Sequence, residues 1–206
     1  SEYTIVSSTE GQQAINEIVE ILYSNSNVFN SADYLSYAPI ITSEPVFTVD
    51  ENQTDIGTVT AVDGDDDEIT FTISGNEISI NNEGVLTFNT APDYETKSSY
   101  SATITASDGT NSSTQDITVN INNLNDNSPS FTSNTTFSAA ENQSAIGTVT
   151  ATDADGDDVT FTISGSELEI TSAGILTFVS APDYETKTSY TATVTASDGT
   201  NSTTQD

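Results

Sequence analysis

In 206 residues the chain carries 32 acidic side chains against two basic ones, Lys97 and Lys187, and has no arginine, histidine, cysteine, methionine or tryptophan. These absences exclude a disulfide framework, thiol or imidazole catalysis, and a metal held by histidine or thiolate. A net charge of -30 excludes nucleic acid as a partner and disfavours anionic membrane surfaces, since phosphate must be met by cations.

The same charge opposes compaction unless salt or bound cations offset it. Screening by salt asks for carboxylates spread over surfaces, whereas metal binding asks for them clustered. Apolar residues make up 33% of the chain, and they alternate in short runs, which favours a folded body over a disordered one. No apolar run approaches the ~20 residues of a membrane span, and no signal peptide is recognisable, so the sequence reads as a mature form or an excised piece.

Residues 1–38 form a segment of their own. It opens on "EYTIVSS" (2–8), which alternates as a strand would. Ala14, Ile15, Ile18, Val19, Ile21 and Leu22 then fall on one face of a predicted helix of about four turns, with Thr9 and Gln12 as its capping box. A helix of that length does not fold alone, so the segment is expected to act as a connector.

From there the chain repeats itself. Residues 51–116 align without a gap onto 141–206, with 46 identities in 66 positions. A period of 90 is too long for a solenoid and means tandem copies of a whole domain, here bounded as 39–127 and 128–206. Within the first copy the order is "IGTVTAV" (56–62), "ITFTISG" (69–75), "GVLTF" (84–88), "YSATITA" (100–106) and "DITVNI" (116–121). Short runs rich in Thr, Val, Ile and Phe, broken by Asp, Gly and Asn about every ten residues, predict an all-β fold. The expected architecture is a tandem pair of seven-stranded Greek-key β-sandwiches. The second copy stops at Asp206, the counterpart of Asp116, one strand short of the first. Either the sequence is cut from a longer array, or "EYTIVSS" of a neighbouring molecule supplies that strand.

The acidic residues recur in a fixed order in both copies: Glu51/Glu141 in E-N, Asp63 with Asp65 and Asp153 with Asp155 in D-x-D, Asp93 with Glu95 and Asp183 with Glu185 in D-Y-E, and Asp108/Asp198 in S-D-G. Between the copies lies Asn125-Asp126-Asn127, followed by Pro129. In this order the motifs resemble those of cadherin-like repeats, in particular those of bacterial surface proteins, over residues 39–206. The resemblance implies about three calcium ions at the linker, an assignment that suits oxygen-only ligands. The implied ligands are Glu51, Asp93, Glu95, Asn125, Asp126 and Asn127 with Asp153, Asp155 and Asp198. Asp63, Asp65, Asp108, Glu141, Asp183 and Glu185 form a secondary set. The family's Arg between the acidic pair is Tyr94 or Tyr184 here, and Leu35-Ser36-Tyr37 stands where an upstream Asn-Asp-Asn would stand. Asp63, Asp65 and Asp108 are therefore expected to lack a linker partner upstream. Asp66, Asp67, Asp157 and Asp158 read as solvated turn residues.

The expectation is of an extracellular, cell-surface protein that is not an enzyme. It would be a calcium-rigidified structural or adhesive segment of a surface adhesin or filament, with neighbouring repeats or copies of itself as partners. The alternative is a carbohydrate-binding or spacer module of a secreted multidomain enzyme, with surface polysaccharide as partner. A general halophilic acidity without specific calcium is a third reading. No residue set proposes catalysis, although paired carboxylates are plentiful.

Overall fold

The structure is a computed structural model that describes residues 36–206. The predicted strand 2–8 and helix lie outside the described residues, among which there is no helix. The chain divides into two compact units: the residues through Pro92 with Ser99–Asn120, and Asp93–Ser98 with Ile121–Asp206.

The first repeat contributes β1 (Ile40–Ile41), β2 (Val46–Asp50), β3 (Asp55–Thr58), β4 (Ala61–Val62), β5 (Thr70–Ile73), β6 (Ile78–Ile80), β7 (Val85–Phe88), β8 (Ser99–Ser107) and β9 (Ser112–Asn122). If β1/β2 and β3/β4 are each taken as one interrupted strand, the expected seven are present. Sheet order is β2-β9-β8-β5 and β3-β7-β6, with β1 paired to β4. All pairings of β8 are antiparallel, from Ser99↔Asn120 to Ser107↔Ser112 on one side and against β5 on the other. Period-two alternation decides which side chains enter the core. Ile117 and Val119 of β9 are 1% and 0% exposed, as are Ile104 of β8 and Leu86 of β7 at 0%. Phe88 of β7 meets Tyr100 of β8 edge-on at 4.8 Å, joining the two sheets.

The second repeat contributes β10 (Ser130–Phe131), β11 (Ala145–Thr148), β12 (Ala151–Thr152), β13 (Thr160–Ile163), β14 (Leu168–Ile170), β15 (Ile175–Phe178), β16 (Val194–Ser197) and β17 (Ser202–Gln205). Its sheets run β11-β15-β14 and β13-β16-β17, with β10 paired to β12. The core gathers Val149, Phe161, Leu176, Val194 and Ala196. β16 has four residues where β8 has nine, and residues 136–140, the counterparts of β2, form no strand. In the first repeat these stretches flank residues 117–122 of β9.

One loop shows how closely the two repeats share a backbone solution. Gly84 and Gly174 adopt φ of +81° and +85°, and each faces the carbonyl oxygen of Val59 or Val149 so closely that a Cβ would lie 2.1 or 2.2 Å from it. Only glycine fits such a position without backbone movement.

Candidate metal centre

The second unit assembles most of the sequence-predicted ligands around Asn127. Its backbone N–H and that of Asp126 donate to Asp155 Oδ2 at 2.9 and 3.0 Å. The Asn127 side-chain Nδ2 lies 2.7 Å from Asp155 Oδ1, 2.9 Å from Asp126 Oδ1 and 3.3 Å from Glu95 Oε2. That amide has two hydrogens for three anionic oxygens. Asp153 joins through a turn, its Oδ1 accepting from Asp155 N–H at 3.0 Å. Asp198 Oδ1 accepts from the N–H groups of Thr200 and Asn201 at 2.7 and 2.6 Å. Asn201 Nδ2 in turn reaches Asn125 Oδ1 (2.8 Å), Asn125 O (3.3 Å) and Asn127 O (3.2 Å). Asn201 thus connects the S-D-G loop to the linker, and Asn123 does the same from the other side by donating to Asp155 O at 2.8 Å.

Two oxygens here have nothing to satisfy them. Asp153 Oδ2 and Asp198 Oδ2 are buried with no hydrogen-bond partner. A carboxylate oxygen withdrawn from water without a donor is costly, and a cation relieves that cost. Carboxylate oxygens of Asp153, Asp155 and Asp157 also lie within 4.8 Å of one another, a spacing that can hold a metal ion. The donor set is all oxygen, which matches a hard divalent cation such as calcium.

Electrostatics agrees on which groups stay charged. Partial desolvation, the largest single influence at Asp155, raises its pKa. The Asn127 side chain and the N–H groups of Asn127 and Asp126 together outweigh it and hold the carboxyl below its ordinary value. Asp198 behaves likewise: desolvation raises it, and the N–H groups of Asn201 and Thr200 more than compensate. Asp93 is lowered chiefly by the Thr96 hydroxyl, which donates to its Oδ2 at 2.9 Å. Its carboxylate is therefore engaged within its own turn and not by the linker. Glu51, in the first unit, is 3% exposed, the one buried charged side chain among the described residues.

The first unit holds a second acidic cluster. Asp63, Asp65 and Asp67 bring carboxylate oxygens within 4.8 Å of one another, and Asp63 Oδ2 and Asp108 Oδ2 are buried without partners. The expected lack of an upstream partner is corrected for Asp65, whose Oδ2 accepts from Tyr37 N–H at 2.7 Å, and Asn111 Nδ2 donates to Ser36 Oγ at 2.5 Å and Ser36 O at 3.1 Å. A third cluster, Glu141, Asp183 and Glu185, is exposed. There Tyr184 N–H donates to Glu141 Oε2 at 3.1 Å, and the Thr186 hydroxyl holds Asp183.

Sequence reasoning missed Asn123, Asn201, Asp67 and Asp157. The signal for the two aspartates is their spacing, D-x-D-x-D at 63–67 and 153–157, which carries the D-x-D alternation one step further.

Several known proteins resemble this chain in sequence or fold. The bacterial Ig domain family matches residues 36–122. Protocadherin Fat 4 of Mus musculus is 34% identical over 142 residues, or 60% of this chain, and its human counterpart is 34% identical over 141. The chain spans only 3% of the length of either relative. Among solved structures, human protocadherin-24 EC1-2 matches with a TM-score of 0.69 at 22% identity, covering 83% of this chain and 93% of that one. Drosophila N-cadherin EC1-4 matches at 0.70 and 23% identity, covering 82% of this chain and 48% of that one. The likeness at these identities is one of fold, and it shows the chain to be built of cadherin-like β-sandwich repeats.

Proposed function

We propose that the chain is a calcium-rigidified, extracellular repeat segment of a prokaryotic cell-surface adhesin or filament, structural or adhesive and not enzymatic. Its partners are neighbouring cadherin-like repeats or copies of itself, joined head-to-tail by strand donation. The domain boundaries proposed for it are 1–38, 39–127 and 128–206. The observation that carries the calcium reading is the pair of buried, unpartnered oxygens of Asp153 and Asp198. Both belong to loops tied by hydrogen bonds to the linker 123–127.

Asp153, Asp155 and Asp198 are the proposed central ligands. Glu95 and Asp126 supply further carboxylates, and Asn125 and Asn127 supply carbonyl oxygens. Glu51, Asp93, Asp63, Asp65, Asp108, Glu141, Asp183 and Glu185 complete the set proposed from sequence, and Asp67 and Asp157 are added to it. Calcium contributes charge neutralisation. The chain's own residues orient the oxygens, with Asn127, Asn123 and Asn201 fixing the loops against the linker. An ion bound only by the folded arrangement stabilises it by mass action, about 3–4 kcal/mol at 100–1,000 times its dissociation constant. The relatives named above are cadherins, and none is named as a carbohydrate-binding module, so the polysaccharide alternative is not favoured.

The test is thermal melting and small-angle scattering with calcium and then with a chelator. Calcium should raise the melting midpoint and lengthen or stiffen the particle, and D155N should blunt both effects. Equal stabilisation by magnesium or sodium chloride would show general acidity instead, and no response to calcium would defeat the reading.

A further inference from the structure

The S-D-G loops share a feature that their carboxylates do not explain. In the second repeat Asn201 is pinned through its own backbone. Its N–H donates to Asp198 Oδ1 at 2.6 Å, and its carbonyl accepts from the Ser197 hydroxyl at 2.9 Å and from Asp198 N–H at 3.3 Å. Asn111 of the first repeat is held in the same way, by Asp108 Oδ1 at 2.6 Å, the Ser107 hydroxyl at 2.9 Å and Asp108 N–H at 3.3 Å. Each side-chain amide then reaches the segment of chain that enters its own repeat.

The acceptors differ in identity but not in kind. Asn201 Nδ2 meets Asn125 Oδ1, Asn125 O and Asn127 O at 2.8, 3.3 and 3.2 Å. Asn111 Nδ2 meets Ser36 Oγ and Ser36 O at 2.5 and 3.1 Å. At the offset of 90, Ser36 and Tyr37 stand where Asp126 and Asn127 stand, so the two entering segments have no residue in common there. Both supply a main-chain carbonyl, and any sequence does so. The donors and acceptors are all neutral, so losing a cation does not unpair them. A carbonyl oxygen also has two lone pairs, and one engaged by Asn201 leaves the other for an ion. Aspartate at 201 would have the same shape but no hydrogen to donate, and lysine would bring a charge that competes with a bound cation.

We propose that the asparagine of S-D-G-T-N is a docking site for the main chain entering each repeat, tolerant of linker sequence and engaged with or without calcium. In the second repeat Asn201 is then a positioning residue, which holds the carbonyls of Asn125 and Asn127 against the S-D-G loop before any ion arrives. The docking stands apart from the calcium reading above; only the effect on calcium affinity rests on it.

Residue-resolved amide hydrogen exchange on the full 206-residue chain in chelator tests the proposal, because docked amides exchange slowly. The N–H groups of Asp126 and Asn127, which donate to Asp155 Oδ2, should be protected in the native chain without calcium. N201A should speed their exchange about tenfold while amides of β13 and β16 keep their native rates. N201D, which keeps the shape and loses the donor, should match N201A. N111A should speed exchange at Tyr37 and leave Asn127 unchanged. Unprotected linker amides in the native chain, native rates at Asp126 and Asn127 in either Asn201 variant, or equal acceleration in β13 and β16 would each overturn the proposal. Calorimetric titration with calcium is read separately: N201A should weaken binding about tenfold, and equal affinity would overturn the positioning role. A native chain that binds no calcium would defeat the metal reading, while the exchange rates, measured in chelator, still decide the docking.

Discussion

The two repeats share 46 of 66 aligned residues, yet they do not bury the same side chains. Glu51, Ile56, Ile78 and Phe88 are buried, while their counterparts Glu141, Ile146, Leu168 and Phe178 are partly or fully exposed. The sequences at these positions are the same or conservative, so composition does not cause the difference. In the first repeat Ile117, Val119 and Ile121 of β9 are themselves buried in the core. Burial in a sandwich is thus a property of the whole sheet. The more exposed counterparts sit on several strands, including β11, β14 and β15.

Core truncation should show this contrast most strongly. Leu86→Ala should cost about 2–5 kcal/mol, as in a closed core, and Leu176→Ala toward the lower end because its site is already open. Chemical denaturation following each unit separately measures both, and equal losses would break the comparison. Gly84→Ala and Gly174→Ala should instead cost similar amounts, more than about 1 kcal/mol each, since both glycines face a carbonyl oxygen in the same way. A large asymmetry there would mean that the two repeats differ in backbone packing as well as in side-chain burial.

A pH series sharpens the comparison at the S-D-G loops. Asp108 and Asp198 both have lowered pKa values. At Asp108 the Asn111 and Thr110 N–H groups are the leading cause, while at Asp198 desolvation opposes a similar pair of donors. A lowered folded pKa stabilises above the unfolded value of about 3.9, and that contribution is lost as pH falls through the folded one. The stability deficit of D108N or D198N relative to the native chain should therefore be complete near neutrality and shrink below about pH 4. A deficit that persists at pH 2 would contradict the assignment. The smallest effect is expected at Lys187, whose Nζ lies 2.7 Å from Glu167 Oε1 and 4.4 Å above the Tyr190 ring. Both charged partners are exposed, and Lys187→Ala should change stability by less than about 1 kcal/mol.

Much of the fold and of the candidate metal centre was legible in the sequence. Alternating runs broken by Asp, Gly and Asn specified strands, and the offset of 90 specified the duplication. The ordered acidic motifs pointed to the residues that meet at Asn127. Three features were not legible, for different physical reasons. Asp67 and Asp157 look like turn residues, and only the loop's closed path brings them toward their neighbours. The upstream contact of Asp65 is made with the backbone of Tyr37, and a backbone group has no letter in the sequence; Asn111 meets both the hydroxyl and the carbonyl of Ser36, a residue that does not match the linker motif. Lys187 pairs with Glu167, 20 residues away, which sequence proximity to Glu185 does not suggest.

The crowded glycine loop also carries a record of how the two copies have drifted. Just before it, Asn81, Asn82 and Glu83 face Thr171, Ser172 and Ala173, so three successive positions have diverged. Then Gly84 and Gly174 agree, as do the Leu, Thr and Phe at 86–88 and 176–178. Exposed side chains changed after duplication, even at Asn81 and Thr171, where both alternatives accept a bond from the N–H four residues on, whereas the residue pressed against a carbonyl oxygen did not. Within one chain, the fold has acted as its own selective filter, and the boundary between tolerated and forbidden change falls between adjacent residues.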